Sequence, residues 1–260
     1  AADKCGVTLV AQIGGIQAIA AMTFGTASIP KVYKIFGPGN QYVTVAKQKA
    51  TQYQTAIDIP AGPSELLVVA DASANPAYIA ADLLSQAEHG VDSQVILVAT
   101  TERLIEMVQD ELQKQLLLLP RKDIAQKALE NSLAVYFKDE PTALDFINTY
   151  GPEHYIVCAQ NEEIFVDGIL NAGSVFIGNY TPESAGDYAS GTNHTLPTNG
   201  YTKQYSGVNL DAFTKAITYQ RISAAGIQKL GPSIETMAEA EGLFAHKNAV
   251  TLRLNDLKNG

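Results

Sequence analysis

Four histidines are the side chains in this sequence best suited to metal binding or acid–base chemistry: His89, His154, His194 and His246. Neutral imidazole is the commonest protein metal ligand, and it titrates closest to neutral pH. Most of these histidines stand beside polar residues or glycine rather than in apolar runs. We therefore expect them to serve as metal ligands or as bases.

Gln86 and His89 lie three residues apart near the end of a predicted helix, so their side chains share one face. The pair could anchor a divalent metal ion, and imidazole suits zinc. The alternative is a histidine stabilised by the dipole at a helix C-terminus, next to a solvated glutamine. Asp187, in a Gly- and Ser-rich segment, could add an oxygen ligand or could simply form a turn. His194 has the same two interpretations.

Glu153 and His154 follow Gly151-Pro152 and precede a predicted strand. A turn at this point could aim both side chains into one pocket. A carboxylate beside an imidazole supplies two general bases of different strength, one for water and one for a hydroxyl. The alternative is a surface turn with an incidental histidine.

Ser64, Glu241 and His246 are further candidates with simpler alternatives. Ser64 precedes a buried strand and could hydrogen-bond a substrate amine or hydroxyl, or it could belong to a turn. Glu241 and His246 lie far along the chain from His89, and they reach it only if the tail folds back or crosses to a partner subunit. A capping or packing role is the alternative for His246.

Strands and helices alternate along the middle of the chain. Continuous apolar runs such as 66–70 are typical of strands buried on both faces, and Asn75-Pro76 marks a helix start. Predicted strands lie at 66–70, 95–99, 132–137, 155–159 and 174–178, and predicted helices at 16–24, 42–50, 77–89, 101–118, 141–150 and 162–171. This order predicts a mostly parallel sheet with helices on both faces.

The remaining stretches differ in character. Residues 179–209 are rich in Gly, Ser, Thr, Asn and Tyr, and a loop of this length inside a compact domain is usually functional. From residue 211 onward the pattern is helical, with predicted helices at 212–221, 222–230 and 233–244.

Composition excludes several classes of protein. The net charge of −9 without a basic cluster argues against a nucleic-acid partner. No apolar run has the length of a membrane span. The two cysteines form no Cys-x-x-Cys pair, which indicates reduced thiols and a cytoplasmic protein.

The chain opens without Met, on a stretch typical of the middle of a domain, so we expect a piece of a longer protein. The sequence contains neither a Gly-x-Gly-x-x-Gly motif after a predicted strand nor a Walker A loop, so no motif predicts a nucleotide-binding site.

Seven segments together resemble the histidinol dehydrogenase family, in order and over essentially the whole chain. They are residues 14–20, 37–40, 61–65, 85–89, 151–154, 182–195 and 241–246. The resemblance implies an α/β fold of incomplete Rossmann-like, mostly parallel sheets with a helical C-terminal tail. It implies three parts: 1–62 as the remainder of an incomplete NAD-side domain, 63–208 as a Rossmann-like domain with most of the metal and catalytic residues, and 209–260 as a helical tail.

The resemblance also implies an activity, the oxidation of L-histidinol to L-histidine through an aldehyde with two NAD in succession. One Zn would hold the substrate's amino and imidazole nitrogens, bound by Gln86, His89, Asp187 and His246. His154 would take the hydroxyl proton, and Glu153 would activate water to hydrate the aldehyde.

Further contacts and a partner follow from the same resemblance. The substrate would contact Ser64, Gln86, His89, His154, Asp187, His194, Glu241 and His246, and NAD would contact Gln17 and Asn40. The family is a homodimer whose tails complete each other's sites, and its members carry a region that precedes residue 1 of this sequence. A metal-dependent hydrolase and an inactive fragment are the other functions that the sequence leaves open.

Overall fold

The computed structural model describes residues 2–60 and 62–259. They form two compact units, Ala1–Phe213 and Thr214–Gly260. The strands are β1 (Lys34–Ile35), β2 (Ala56–Ile57), β3 (Glu65–Ala70), β4 (Gln94–Ala99), β5 (Leu133–Tyr136), β6 (His154–Cys158) and β7 (Ser174–Ile177). The helices are α1 (Gly15–Phe24), α2 (Gln41–Ala50), α3 (Pro76–Ala87), α4 (Glu102–Leu116), α5 (Lys122–Glu130), α6 (Glu140–Tyr150), α7 (Glu162–Asp167), α8 (Glu183–Tyr188), α9 (Ala224–Ala240) and α10 (Phe244–Asn259).

A five-stranded sheet with the strand order β5-β4-β3-β6-β7 forms the centre of the first unit. All its neighbouring strands are parallel. Every residue of β3 is buried, and successive side chains enter opposite cores. Leu66 packs in the core that contains residues of α3, α4 and α5, whereas Leu67 packs with Ile147 of α6 and Phe165 of α7. The predicted α/β fold with helices on both faces is confirmed.

Helix α3 begins where the sequence predicts, at Asn75-Pro76, but it ends two residues before the predicted end at His89. The side chain of Asn75 accepts a hydrogen bond from the Ala77 N–H, and Pro76 is the first helical residue. The helix ends at Ala87, and the His89 N–H then turns back to donate to the Gln86 carbonyl at 3.2 Å. His89 therefore lies just beyond the helix rather than in its last turn.

Three other local predictions were wrong or incomplete. Helix α5 was not predicted, and the polar stretch 179–209 contains the short helix α8. The predicted helix at 212–221 is absent, since only a 3-10 turn at Leu210–Phe213 occurs there. Ile217 and Tyr219 are 70% and 88% exposed, so this stretch buries no apolar face within its unit that could stabilise a helix.

The second unit is a helical hairpin of α9 and α10. Helix α9 runs through Pro232, so the two helices predicted at 222–230 and 233–244 are one helix that ends before Gly242. Gly231 faces Leu254 of α10 so closely that a Cβ at this position would stand 2.8 Å from a Leu254 methyl carbon. Among residues 2–60 and 62–259, no helix combines the length and the apolar character that a bilayer crossing requires.

The first residues form a small parallel pair of strands, β1 and β2, with α1 and α2 beside them. A buried ion pair between Lys47 and Asp58 stabilises this region. Lys47 also donates to the Gly37 carbonyl, and Asp58 accepts from the Gly37 N–H, both at 2.7 Å. The turn before α2 is thereby tied to the end of β2.

Candidate active site and metal centre

A cluster of polar side chains lies at the amino end of the central sheet. Glu65, His154 and Ser174 are the first residues of β3, β6 and β7, and Leu66 and Ser174 are the register partners of His154 on either side. Open parallel sheets usually bind ligands at the carboxyl ends of their strands. Here the C-terminus of α3, which runs back toward the amino edge, places its last polar residues in the same cluster.

His154 is held as a neutral base with one free ring nitrogen. Its Nδ1 lies 3.1 Å from the Glu65 carbonyl oxygen, an acceptor that fixes the proton on Nδ1. Its Nε2 is buried and has no hydrogen-bond partner in the described part of the chain. Burial lowers the pKa of His154. The Nε2 lone pair is therefore available to accept a proton.

Glu153 lies beside this imidazole. Its Oε2 accepts a hydrogen bond from the Glu65 N–H at 2.9 Å and stands 3.6 Å from His154 Nδ1. Burial raises the pKa of Glu153 well above its usual value, and the nearby carboxylates of Glu65, Glu183 and Asp187 raise it further. A carboxylate with a raised pKa is a stronger base than an exposed one.

Glu65 had no predicted role, yet its backbone orients the side chains of Glu153 and His154. The backbone N–H of Glu65 holds Glu153, and its carbonyl holds His154. Its own side chain is buried and accepts from the Asn199 N–H at 2.8 Å, which attaches the loop after His194 to the sheet. Burial raises the pKa of Glu65 to about 7.

A second acidic residue that was not predicted, Glu183, joins the candidate metal ligands. One ligand atom each from His89, Glu183 and Asp187 lie within 4.8 Å of one another. With its amide nitrogen facing Glu183, Gln86 donates to the two carboxylate oxygens at 2.7 and 3.1 Å. Burial raises the pKa of Glu183 to about 8, and the Asp187 charge adds to the effect.

This arrangement fits a divalent cation. Two tetrahedral ligands of one Zn ion, each at about 2.1 Å, stand about 3.4 Å apart, so the ligand atoms of His89 and Asp187, which lie within 4.8 Å of each other, would move closer together to share it. The carboxylates of Glu153, Glu183 and Asp187 crowd a buried region, where a cation would offset their repulsion. The C-terminus of α3 also favours positive charge.

The structure brings some of the predicted site residues together and leaves others apart. Those in the amino-edge cluster are Gln86, His89, Glu153, His154 and Asp187. His194 is exposed, but its charge contributes to the lowered pKa of His154, which places it within electrostatic reach. Ser64 is half-buried directly before β3, and its carbonyl accepts from the Gln94 N–H at 3.1 Å. Ala61 of the same segment lies outside the described residues.

The other predicted contacts lie elsewhere in the chain. Gln17 is exposed on α1, where it borders a cavity of about 390 Å³ together with Ile19. The side-chain oxygen of Asn40 caps α2 and accepts from two backbone N–H groups. Glu241 and His246 are exposed in the second unit, at the end of α9 and in the first turn of α10. The roles of these four residues remain predictions.

One sequence signal could have identified Glu183. Glu183 and Asp187 are spaced i, i+4, which places two carboxylates on one face of a helix. The composition of the stretch around them predicts a loop, and this spacing brings two side chains together only on a helix. Glu65 gives no such signal, because a carboxylate at the start of an apolar strand looks like the end of a turn.

Comparison with known proteins identifies the family. The histidinol dehydrogenase family model matches residues 1–254. The histidinol dehydrogenase of Bacteroides thetaiotaomicron is 60% identical over 258 residues, which cover 99% of this chain and 60% of that protein. The chloroplastic histidinol dehydrogenase of Arabidopsis thaliana is 55% identical over 260 residues, covering 99% of this chain and 56% of that one.

A solved structure gives the same answer in three dimensions. The crystal structure of histidinol dehydrogenase from Elizabethkingia anophelis superposes with a TM-score of 0.96 at 57% identity, covering 99% of this chain and 59% of that chain. The chain thus spans about 60% of the length of the curated relatives that it matches. On sequence and on structure, it belongs to the histidinol dehydrogenase family.

Proposed function

We propose that the protein containing this chain is a Zn- and NAD-dependent dehydrogenase that oxidises L-histidinol to L-histidine through the aldehyde. The observation that carries this proposal is the buried Nε2 of His154, which has no hydrogen-bond partner among the described residues. It lies beside Glu153 and near a group of side chains, including His89 and Asp187, that could bind a metal ion. Alcohol oxidation needs a base at the hydroxyl, and the neutral amine and imidazole nitrogens of the substrate suit a bound metal ion.

His154 serves the first oxidation. When a carbinol carbon gives up a hydride, its hydroxyl proton must leave, and the free Nε2 accepts it. The Glu65 carbonyl keeps the Nδ1 proton in place, so the ring presents its lone pair in a fixed direction. NAD, when bound, supplies the hydride acceptor for this oxidation and for the next.

Glu153 serves the second oxidation. The aldehyde must add water before it can lose a second hydride, and the carboxylate takes a proton from that water. The hydrate then loses a hydride and a proton and becomes the carboxylic acid. The hydrogen bond from the Glu65 N–H fixes Glu153 in its buried position without occupying both of its oxygens.

We propose that Zn is bound within this chain by Gln86, His89 and Asp187, with His246 as the fourth ligand. When bound, the ion supplies a Lewis acid that coordinates the substrate's nitrogens and so positions the substrate. Gln is an uncommon Zn ligand, which favours a site built for positioning substrate over one built for tight structural binding.

Ser64, His194 and Glu241 are the additional substrate contacts that we propose, and Gln17 and Asn40 are the NAD contacts. The cap of α2 uses the side-chain oxygen of Asn40, so its amide nitrogen is the donor that could reach a cofactor. We propose a homodimer in which Glu241 and His246 come from the partner's tail.

The test is histidinol-dependent formation of NADH by the complete protein, followed by absorbance. Turnover that needs both Zn and NAD, and that yields about two NADH for each histidinol consumed, supports the proposal. Hydrolysis of an amide or ester without NAD would support the alternative of a metal-dependent hydrolase. Absence of NADH with Zn, NAD and histidinol all present would contradict the proposal.

A further inference from the structure

Glu183 is almost completely enclosed by polar groups of the candidate site. Its side chain belongs to a residue that is 2% exposed. Both carboxylate oxygens face the Gln86 amide, and in the amide orientation that satisfies both groups they accept from its nitrogen at 2.7 and 3.1 Å. Oε2 also accepts from Ser85 Oγ at 3.3 Å. Oε1 stands 4.0 Å from His154 Nε2. No lysine or arginine among residues 2–60 and 62–259 forms an ion pair with Glu183. A carboxylate buried to this extent without such a partner indicates a functional role, because burial alone penalises its charge.

The contacts of Glu183 favour a role behind the metal ligands over a place among them. Its oxygens are already engaged by Gln86 and Ser85. The amide of Gln86, in contrast, has only one atom that a cation can bind, its oxygen. A side-chain amide has two nearly isosteric orientations. Only one of them puts the nitrogen on Glu183 and directs the oxygen away from it.

We propose that Glu183 is a positioning residue that locks the Gln86 amide by its nitrogen, so that the amide oxygen is presented to the cation. Gln86 is fully buried as the next-to-last residue of α3, and its backbone is fixed by the helix. The remaining freedom is the rotation of the amide, which Glu183 removes. This inference rests on the proposed function, because it presupposes a metal at this site.

A double-mutant cycle on the complete protein tests the proposal by Zn affinity, measured by competition with a chromogenic chelator. Glu183→Gln keeps the shape but loses the paired acceptors, and we expect about tenfold weaker Zn binding, as for other residues that orient a ligand. Gln86→Met removes the ligand oxygen itself. Because no amide then remains to orient, the double variant should bind Zn no more weakly than Gln86→Met alone.

Two further variants keep the test decisive if Glu183→Gln perturbs folding, which thermal unfolding would reveal. Glu163→Gln makes the same substitution at an exposed carboxyl group on α7 and serves as the matched control, with unchanged Zn affinity expected. The reversed pair Gln86→Glu/Glu183→Gln places the amide at position 183 and the oxygen ligand at position 86. We expect it to bind Zn more tightly than Glu183→Gln alone.

The outcomes separate this inference from the proposed function. If the losses of Glu183→Gln and Gln86→Met multiply in the double variant, Glu183 acts independently of Gln86 and the inference fails. It fails equally if Glu183→Gln, or the reversed pair relative to it, leaves Zn affinity unchanged. If the unmodified protein binds no Zn, the proposed function fails first and the inference falls with it.

Discussion

At the scale of single residues, the site depends on two adjacent side chains held by one backbone. Glu65 presents its N–H to Glu153 and its carbonyl to His154, so the register between β3 and β6 sets the geometry of both bases. A strand normally sends adjacent side chains to opposite faces. Glu153 escapes this rule because it precedes the first residue of β6.

Replacing His154 separates base chemistry from metal binding. His154→Asn keeps a side-chain N–H that can donate to the Glu65 carbonyl but has no basic nitrogen. We expect alcohol oxidation to fall by about 10²–10⁴-fold, the usual contribution of a general base, with Zn content unchanged. Steady-state rates and elemental analysis on the same preparation measure both. Loss of Zn from this variant would place His154 in the metal shell instead.

Replacing Glu153 separates the two oxidations. Glu153→Gln still offers an oxygen to the Glu65 N–H but cannot take a proton from water. We expect oxidation of the aldehyde to slow by about 10²-fold more than oxidation of the alcohol. Single-turnover measurements that start from each substrate distinguish the two steps. Equal losses in both would count against a water-activating role.

At the scale of elements, glycine permits a close approach beneath the site. A Cβ added at Gly173 would stand 2.5 Å from the Glu153 carbonyl oxygen. Gly173→Ala should therefore destabilise the fold by about 1–3 kcal/mol and displace Glu153. Chemical denaturation measures the first effect and the aldehyde half-reaction the second. The matched control is Gly90→Ala, where the nearest atom is 3.9 Å away, and its unfolding free energy should not fall. Equal stability of the two variants would contradict the steric argument.

Asp71 closes the carboxyl edge of the sheet, where doubly wound folds usually bind ligands. It follows β3 and accepts from the Gln160 N–H after β6 at 2.7 Å and from the Ser73 N–H at 2.8 Å. Burial raises the pKa of Asp71, but the hydrogen bonds from the Ser73 hydroxyl and from these two N–H groups outweigh it and hold the pKa below its usual value. These contacts link the segments that follow β3 and β6 at that edge.

The Asp71 contacts predict a pH-dependent contribution to stability. A pKa lowered by folding stabilises the protein above the unfolded value of about 3.9, and the contribution disappears as pH falls through the folded pKa. Because Asp71 is only partly buried, we expect Asp71→Asn to cost about 1 kcal/mol at pH 7. Urea denaturation across pH measures this. A difference from the unmodified protein that persists at pH 2 would contradict the assignment.

Local signals explain which elements could be predicted from the sequence. The buried run of β3 and the Asn75-Pro76 start of α3 depend on neighbours in the chain, and both predictions were correct. The helix predicted at 212–221 was wrong because its apolar spacing finds nothing to pack against within its unit. Glu65 could not be predicted because its partners lie 88 or more residues away in the chain. Glu183 could not be predicted without α8, because its spacing with Asp187 has meaning only on a helix.

The whole molecule consists of a unit built around a five-stranded sheet and a unit formed by a helical hairpin. The first unit brings Gln86, His89, Glu153, His154 and Asp187 to the amino edge of its sheet. The hairpin carries Glu241 and His246 on its surface. We propose that these two exposed residues act in a partner subunit.

The most direct measurement is anomalous diffraction at the zinc absorption edge from crystals of the complete protein grown with Zn. We predict one ordered zinc peak at the amino edge of the central sheet, with the ion bound by the Gln86 oxygen, His89 and Asp187. Glu183 should accept from the Gln86 nitrogen, and His154 should lie outside the coordination shell. A zinc ion bound by other residues, or no ordered zinc beside His89, would contradict it.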